Sequence, residues 1–97
     1  MAVTYSGLVN TVIGDKRLVV FNLTATAAEE EVGSSYHGCG VIDAVLGMTR
    51  VSGTTNCGTA VIGQNMDSTG VASAGCLGFS SLVGAASNVM RVAFIGH

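Results

Sequence analysis

Leu8-Val9-Asn10-Thr11-Val12-Ile13, then Gly14-Asp15-Lys16, then Arg17-Leu18-Val19-Val20-Phe21-Asn22-Leu23-Thr24-Ala25 is the stretch that decides the fold. In the second run, Val19, Phe21 and Leu23 fall on one side of an extended chain, and Leu18, Val20, Asn22 and Thr24 on the other. That period of two belongs to a strand with one greasy face and one mixed face. Gly14-Asp15-Lys16 supplies turn chemistry between the runs, so the stretch reads as a β-hairpin.

Working outward, the same signals recur. Val41–Val51 reads as a strand with a bend at Gly47, and Thr59–Gln64 and Val71–Phe79 as two shorter strands. Asn65-Met66-Asp67-Ser68-Thr69-Gly70 between those two is a turn cluster. Asn88–Ile95 is the last strand, with Met90, Val92 and Phe94 alternating against Val89, Arg91, Ala93 and Ile95. Helix is disfavoured because 14 glycines recur along the chain, and each interior glycine costs a helix about 1 kcal/mol relative to alanine. From Ala27 to Gly40 the alternation breaks. This segment reads as a long surface loop, with one helical turn over Ala27–Val32 closed by Gly33. The expectation is an all-β chain, a single β-domain over residues 1–97, built as a small antiparallel β-sandwich or β-barrel of about six to eight short strands. The chain has no proline, so one common guard against edge-to-edge strand pairing is missing.

Composition narrows the function. Apolar residues make up 48% of the 97, but charged residues only 10%, against about a quarter in an ordinary domain. A charge-poor surface on a thin-cored domain is what a subunit covered by its neighbours would carry. Net charge is −2, and the cations are Lys16, Arg17, Arg50 and Arg91. Four scattered cations make no basic stripe, so neither nucleic acid nor a membrane surface is an expected partner. Met1–Tyr5 lacks the features of a signal peptide, and the most apolar run, Gly70–Ala86, is broken by Ser73, Ser80 and Ser81. The expectation is a soluble chain. Cys39, Cys57 and Cys76 are odd in number and widely spaced, as free thiols in a reducing compartment would be.

The motifs that suggest chemistry each have a plainer reading. Asp67-Ser68-Thr69-Gly70 resembles the Asp-Thr/Ser-Gly signature of retroviral aspartic proteases, but with an extra residue before the glycine, and a turn with Asp at its first position explains it. Gly38-Cys39-Gly40 begins like a dinucleotide fingerprint without the flanking strand and helix, so a loop entering a strand is expected. His37 and Cys39 offer two zinc ligands where four are needed, with Cys57, Cys76 and His97 at the wrong spacing. As a nucleophile pair they lack a third orienting group. Glu29-Glu30-Glu31 lacks the organised oxygens of a calcium site and reads as a solvated loop. Asn22-Leu23-Thr24 is a glycosylation sequon that falls mid-strand. No cofactor, metal or catalytic residue is expected.

Two stretches carry a family likeness. Val12-Ile13-Gly14-Asp15-Lys16-Arg17-Leu18-Val19-Val20, continuing through the Thr24–Tyr36 loop to Val41-Ile42-Asp43, is one. Val89-Met90-Arg91-Val92-Ala93-Phe94-Ile95-Gly96 is the other. Together, over about half the chain, they resemble small virion proteins of tailed bacteriophages; Thr54 to Asn88 carries no likeness. The resemblance implies a virion structural protein, chiefly a capsid decoration (cement) protein on the capsid surface, assembled in the host cytoplasm. It would bind the major capsid protein as a homo-oligomer, with a trimer favoured. A neck, tail or fibre-associated protein is the alternative, with a dimeric protease or a ligand-binding β-module more remote. The candidate contact residues are Tyr5 in the N-terminal segment, the acidic loop Glu29, Glu30 and Glu31, and Tyr36, because termini and loop tips reach outward without disturbing a core.

Overall fold

The computed structural model describes residues 4–24, 30–52, 61–80 and 89–97. Strands β1 (Thr4–Ile13) and β2 (Lys16–Thr24) form the expected hairpin. The turn is only Gly14-Asp15, with Ile13 facing Lys16 across it and Gly14 at φ 63°. Positive φ at the first central position of a two-residue loop matches the right-handed twist of the flanking strands and is supplied by glycine. β4 (Ile42–Ser52) and β7 (Val89–Gly96) complete an antiparallel sheet in the order β1-β2-β7-β4. A second antiparallel sheet is ordered β3-β6-β5, from Glu30–Val32, Ala72–Ser80 and Val61–Met66. Among the described residues the two sheets share no strand, which is the arrangement of a sandwich.

The inward set follows the alternation. Val19, Phe21 and Leu23 of β2 and Met90, Val92 and Phe94 of β7 are buried, and meet Val32, Leu77 and Phe79 of the second sheet. Cys39 and Ile42 close one end of this core. Phe21 and Phe94 pack edge to face with centroids 6.2 Å apart, the geometry favoured by ring quadrupoles.

The predicted loop over 27–40 is corrected. Glu30–Val32 is a short strand, β3, with Glu30 and Val32 buried and Glu31 exposed. A helical turn follows Gly33, as α1 (Ser34–His37), whereas Glu30–Val32 before it is extended. Alternating burial of Glu30 and Val32 against Phe79 and Leu77 of β6 holds this stretch extended, where local propensity alone favoured a turn. Gly38, at φ 81°, ends the helix by donating its N–H to the Ser34 carbonyl at 2.7 Å. Ala27, Ala28 and Glu29 lie outside the described residues.

A side chain ties the sheets together. Asn65 of β5 sits at φ 56°, a left-handed conformation that asparagine tolerates better than most residues. From there Oδ1 accepts from the Ile42 N–H at 2.8 Å and the Gly75 N–H at 3.1 Å, while Nδ2 donates to the Ile42 carbonyl at 2.7 Å. Gly75 is itself at φ 75°, and a Cβ there would lie 2.5 Å from the Cys39 carbonyl oxygen. The backbones of 39–40 and 75 therefore approach closely only because glycine stands at 75.

Candidate functional site

Two surfaces stand out, one on each sheet. On the first, the alternation that buries Val19, Phe21 and Leu23 turns Leu18 and Val20 outward, and on β7 it turns Ala93 and Ile95 outward. Leu18 pairs with Ile95 and Val20 with Ala93, so the four form one half-buried block at the middle of the sheet. Val9 and Ile13 extend it onto β1, where they are exposed. An antiparallel sheet with one face on the core normally presents polar side chains on the other. Here the centre of the outer face is aliphatic, with Thr11, opposite Leu18, the polar residue between Val9 and Ile13.

The ends of that face are polar. At one end Asp43 Oδ2 lies 2.8 Å from His97 Nδ1 and 3.5 Å from Lys16 Nζ. The His97 hydrogen bond, with help from the Lys16 charge, holds the Asp43 carboxyl below its ordinary value. At the other end Arg91 Nε donates to Asn22 Oδ1 at 3.1 Å; Asn22, the sequon residue, thus lies mid-strand in β2 with its side chain engaged. An apolar centre with a polar rim is the anatomy of a protein interface.

The second surface is a groove of about 570 Å³ beside β3, α1 and β6, lined by Glu30, Glu31, Ser34, Ser35, Tyr36, Ser68, Ser73 and Cys76 among others. Glu31 Oε1 accepts from the Ser68 N–H at 3.2 Å and its hydroxyl at 2.9 Å. Burial, followed by the nearby Glu31 charge, pushes the Cys76 thiol up against the opposing Ser73 hydrogen bond. The groove offers hydroxyls, carboxylate and a protonated thiol. That is hydrogen-bonding chemistry without an activated nucleophile.

The predicted contact residues separate between these environments. Glu30, Glu31 and Tyr36 line the groove, but Glu30 is fully buried and is not offered at a loop tip. Glu29 lies outside the described residues. Tyr5 belongs to β1 and stacks on Phe21 at 4.8 Å, with Tyr36 beside it at 5.3 Å. It is therefore built into the sandwich instead of extending as a free arm, and burial pushes its hydroxyl up.

The other motifs resolve as structure. Asp67 Oδ1 accepts from the Thr69 N–H (2.9 Å), the Thr69 hydroxyl (2.7 Å) and the Val71 N–H (2.9 Å), which keeps the carboxyl low and occupies it with the turn. His37 and Cys39 are both buried, and the Cys39 N–H donates to His37 Nδ1 at 3.1 Å. Burial lowers His37, against the opposing carbonyls of Gly75 and Val32, and raises Cys39. Both groups are driven neutral, the reverse of a thiolate–imidazolium pair. Cys39 and Cys76 are free thiols, and Cys57 lies outside the described residues. Among the described residues no three metal-ligating side chains converge, and no helix is long and apolar enough to cross a membrane.

The residues that sequence reasoning passed over are Leu18, Val20, Ala93 and Ile95. Their signal was the mixed face of Arg17–Ala25, with Leu18 and Val20, and the second face of Asn88–Ile95, with Ala93 and Ile95, where aliphatics stand at positions a solvated strand gives to polar residues. Compared with known proteins, the chain matches no family model, no curated protein and no solved structure.

Proposed function

We propose that this chain is a structural subunit of a larger assembly, in which a neighbouring subunit covers the outer face of the β1-β2-β7-β4 sheet. The single observation behind this reading is the aliphatic block at the centre of that face, on a chain only 10% charged. Water leaves about 25 cal/mol of stabilisation unrealised for each Å² of apolar surface it touches, and a repeated lattice of contacts recovers that term many times over. The resemblance of Val12–Val20, through the Thr24–Tyr36 segment to Val41-Ile42-Asp43, and of Val89–Gly96 to virion proteins of tailed bacteriophages supports a phage particle as that assembly. On this reading the chain is a capsid decoration protein that binds the major capsid protein and stabilises the head, by binding alone.

Cryo-electron microscopy and quantitative mass spectrometry of purified particles test it. Hundreds of copies per particle on the head are expected. A dozen or so copies would move the protein to the neck or tail, and absence from washed particles would end the virion reading.

A further inference from the structure

We propose that the outer face of the β1-β2-β7-β4 sheet packs face to face on the same face of a second copy of this chain, as a two-fold pair. The proposal rests on the assembly reading and names the partner that covers the face.

Charge first favours a second copy. The centre of the face, Leu18, Val20, Ala93 and Ile95, carries no charged side chain, so two such faces meet without burying an unpaired charge. At one end Asp43 is bridged to Lys16, and at the other Arg91 is hydrogen-bonded to the neutral Asn22. A two-fold axis running across the strands sets the Arg91 end of each copy against the Lys16–Asp43 end of the other, so the two Arg91 cations stay apart. The face can therefore meet its own copy without opposing like charges across the axis, as an isologous contact requires.

Size agrees. Four strands about 4.8 Å apart, with roughly eight residues each rising about 3.3 Å, give a footprint of about 500 Å² per copy. Two copies then cover roughly 1,000 Å², the lower bound for a specific interface. The result is a reversible pair of micromolar strength, which repetition on a particle would reinforce.

Edge-to-edge pairing is the competing geometry, and the strands oppose it. β4 breaks register with β7 three times, between Ile42/Ala44, Val45/Gly47 and Arg50/Ser52. β1 breaks register with β2 between Gly7 and Val9. Bulged edges twist away from a new strand, so the face and not the edge is left to associate.

Sedimentation velocity on the full chain from about 5 to 200 µM tests this. The unaltered chain should form a reversible dimer. Val20→Lys at the centre and Val9→Lys at the margin should each weaken it by about 100-fold or more, because symmetry applies each lysine twice. Val71→Lys, at an exposed site outside the face, should dimerise normally. Val9 is already 42% exposed, so its variant keeps the test valid if Val20→Lys does not fold. A monomer at every concentration, a trimer, or a dimer that survives both lysines overturns the proposal. So does hydrogen-exchange protection of β1 backbone amides on dimerisation, which would mark edge pairing. A dimer from a chain absent from particles would overturn the virion reading instead, leaving the pair intact.

Discussion

The outer sides of the two sheets were built from the same charge-poor, glycine-rich chain, yet they present opposite chemistry. The β1-β2-β7-β4 sheet shows water a block of Leu18, Val20, Ala93 and Ile95, with charge only at its ends. The β3-β6-β5 side shows serine hydroxyls, the Glu31 carboxylate and a turn capped by Asp67. The difference lies in how the outward positions are filled. On β2 and β7 the middle of the outward face is aliphatic as well as the inward one, as in a strand buried on two sides, while Lys16, Asn22, Thr24 and Arg91 stand toward its ends. Beside β6 the outward space is taken by polar loop residues and by backbone, as at Gly78, where a Cβ would collide with the Asp67 carbonyl. One side is finished as a polar surface; the other leaves aliphatic side chains half-buried.

The strongest way to break this comparison is to remove what both sheets share. Phe94 is fully buried and contacts Phe21 and the His37 ring. Phe94→Ala should cost about 3–5 kcal/mol in urea denaturation, through lost burial and the cavity left behind. Both surfaces should be lost in one transition; two separate transitions would show that the sheets are not one cooperative unit. Next in size is the tie at Asn65. Asn65→Ala strands the Ile42 N–H and carbonyl and leaves alanine at positive φ, for a loss of about 2–3 kcal/mol. Asn65→Gly loses the same bonds without the backbone strain, and should recover about 1 kcal/mol of that.

Acid probes the buried residue between the sheets. Burial holds His37 below the ordinary histidine value, so the unfolded chain takes up a proton first as pH falls through about 6.5. Stability should therefore be full above that value and decline from it down to the lower folded-state value. Denaturation midpoints at pH 7.5 and 5.5 measure the slope. His37→Gln should flatten it, and a variant as acid-sensitive as the parent would place the proton elsewhere.

The parts of this fold that were legible are those where one residue's neighbours along the chain decide its environment. Val19, Phe21 and Leu23, and Met90, Val92 and Phe94, announce their burial by alternation, and Gly14-Asp15 announces its turn. The bend near Gly47 was also visible, and the structure makes it a register shift between Val45 and Gly47. What was not legible depends on contacts across the sequence. Glu30 sits in a run of three glutamates, and only pairing with Phe79 of β6 turns it inward. Asn65 looked like one more turn residue, and its role as a tie exists only because Ile42 and Gly75 arrive beside it. Tyr5 near the N-terminus suggested a free arm until β1 carried it onto Phe21. The aliphatic outer face lay between these cases: its residues were plain in the sequence, but the register joining Leu18 to Ile95 and Val20 to Ala93 was not.

The smallest effect expected is confined to the polar side. Asp67 Oδ1 accepts three hydrogen bonds from Thr69 and Val71, which closes the β5–β6 hairpin. Those bonds hold the carboxyl below its unfolded value, so the stability they lend is present above about pH 3.8 and is lost as pH falls below it. Asp67→Ala should lower the melting temperature by less than any substitution above, because the turn is solvent-exposed and water can replace the lost acceptor. Asp67→Asn keeps an oxygen in the same place and should retain most of the stability while losing its share of the acid dependence. If Asn is as damaging as Ala, the charge and not the acceptor geometry holds the turn. In either variant the aliphatic face on the opposite sheet should be unaffected, so a sedimentation profile matching the parent's would show that the two surfaces are independently built.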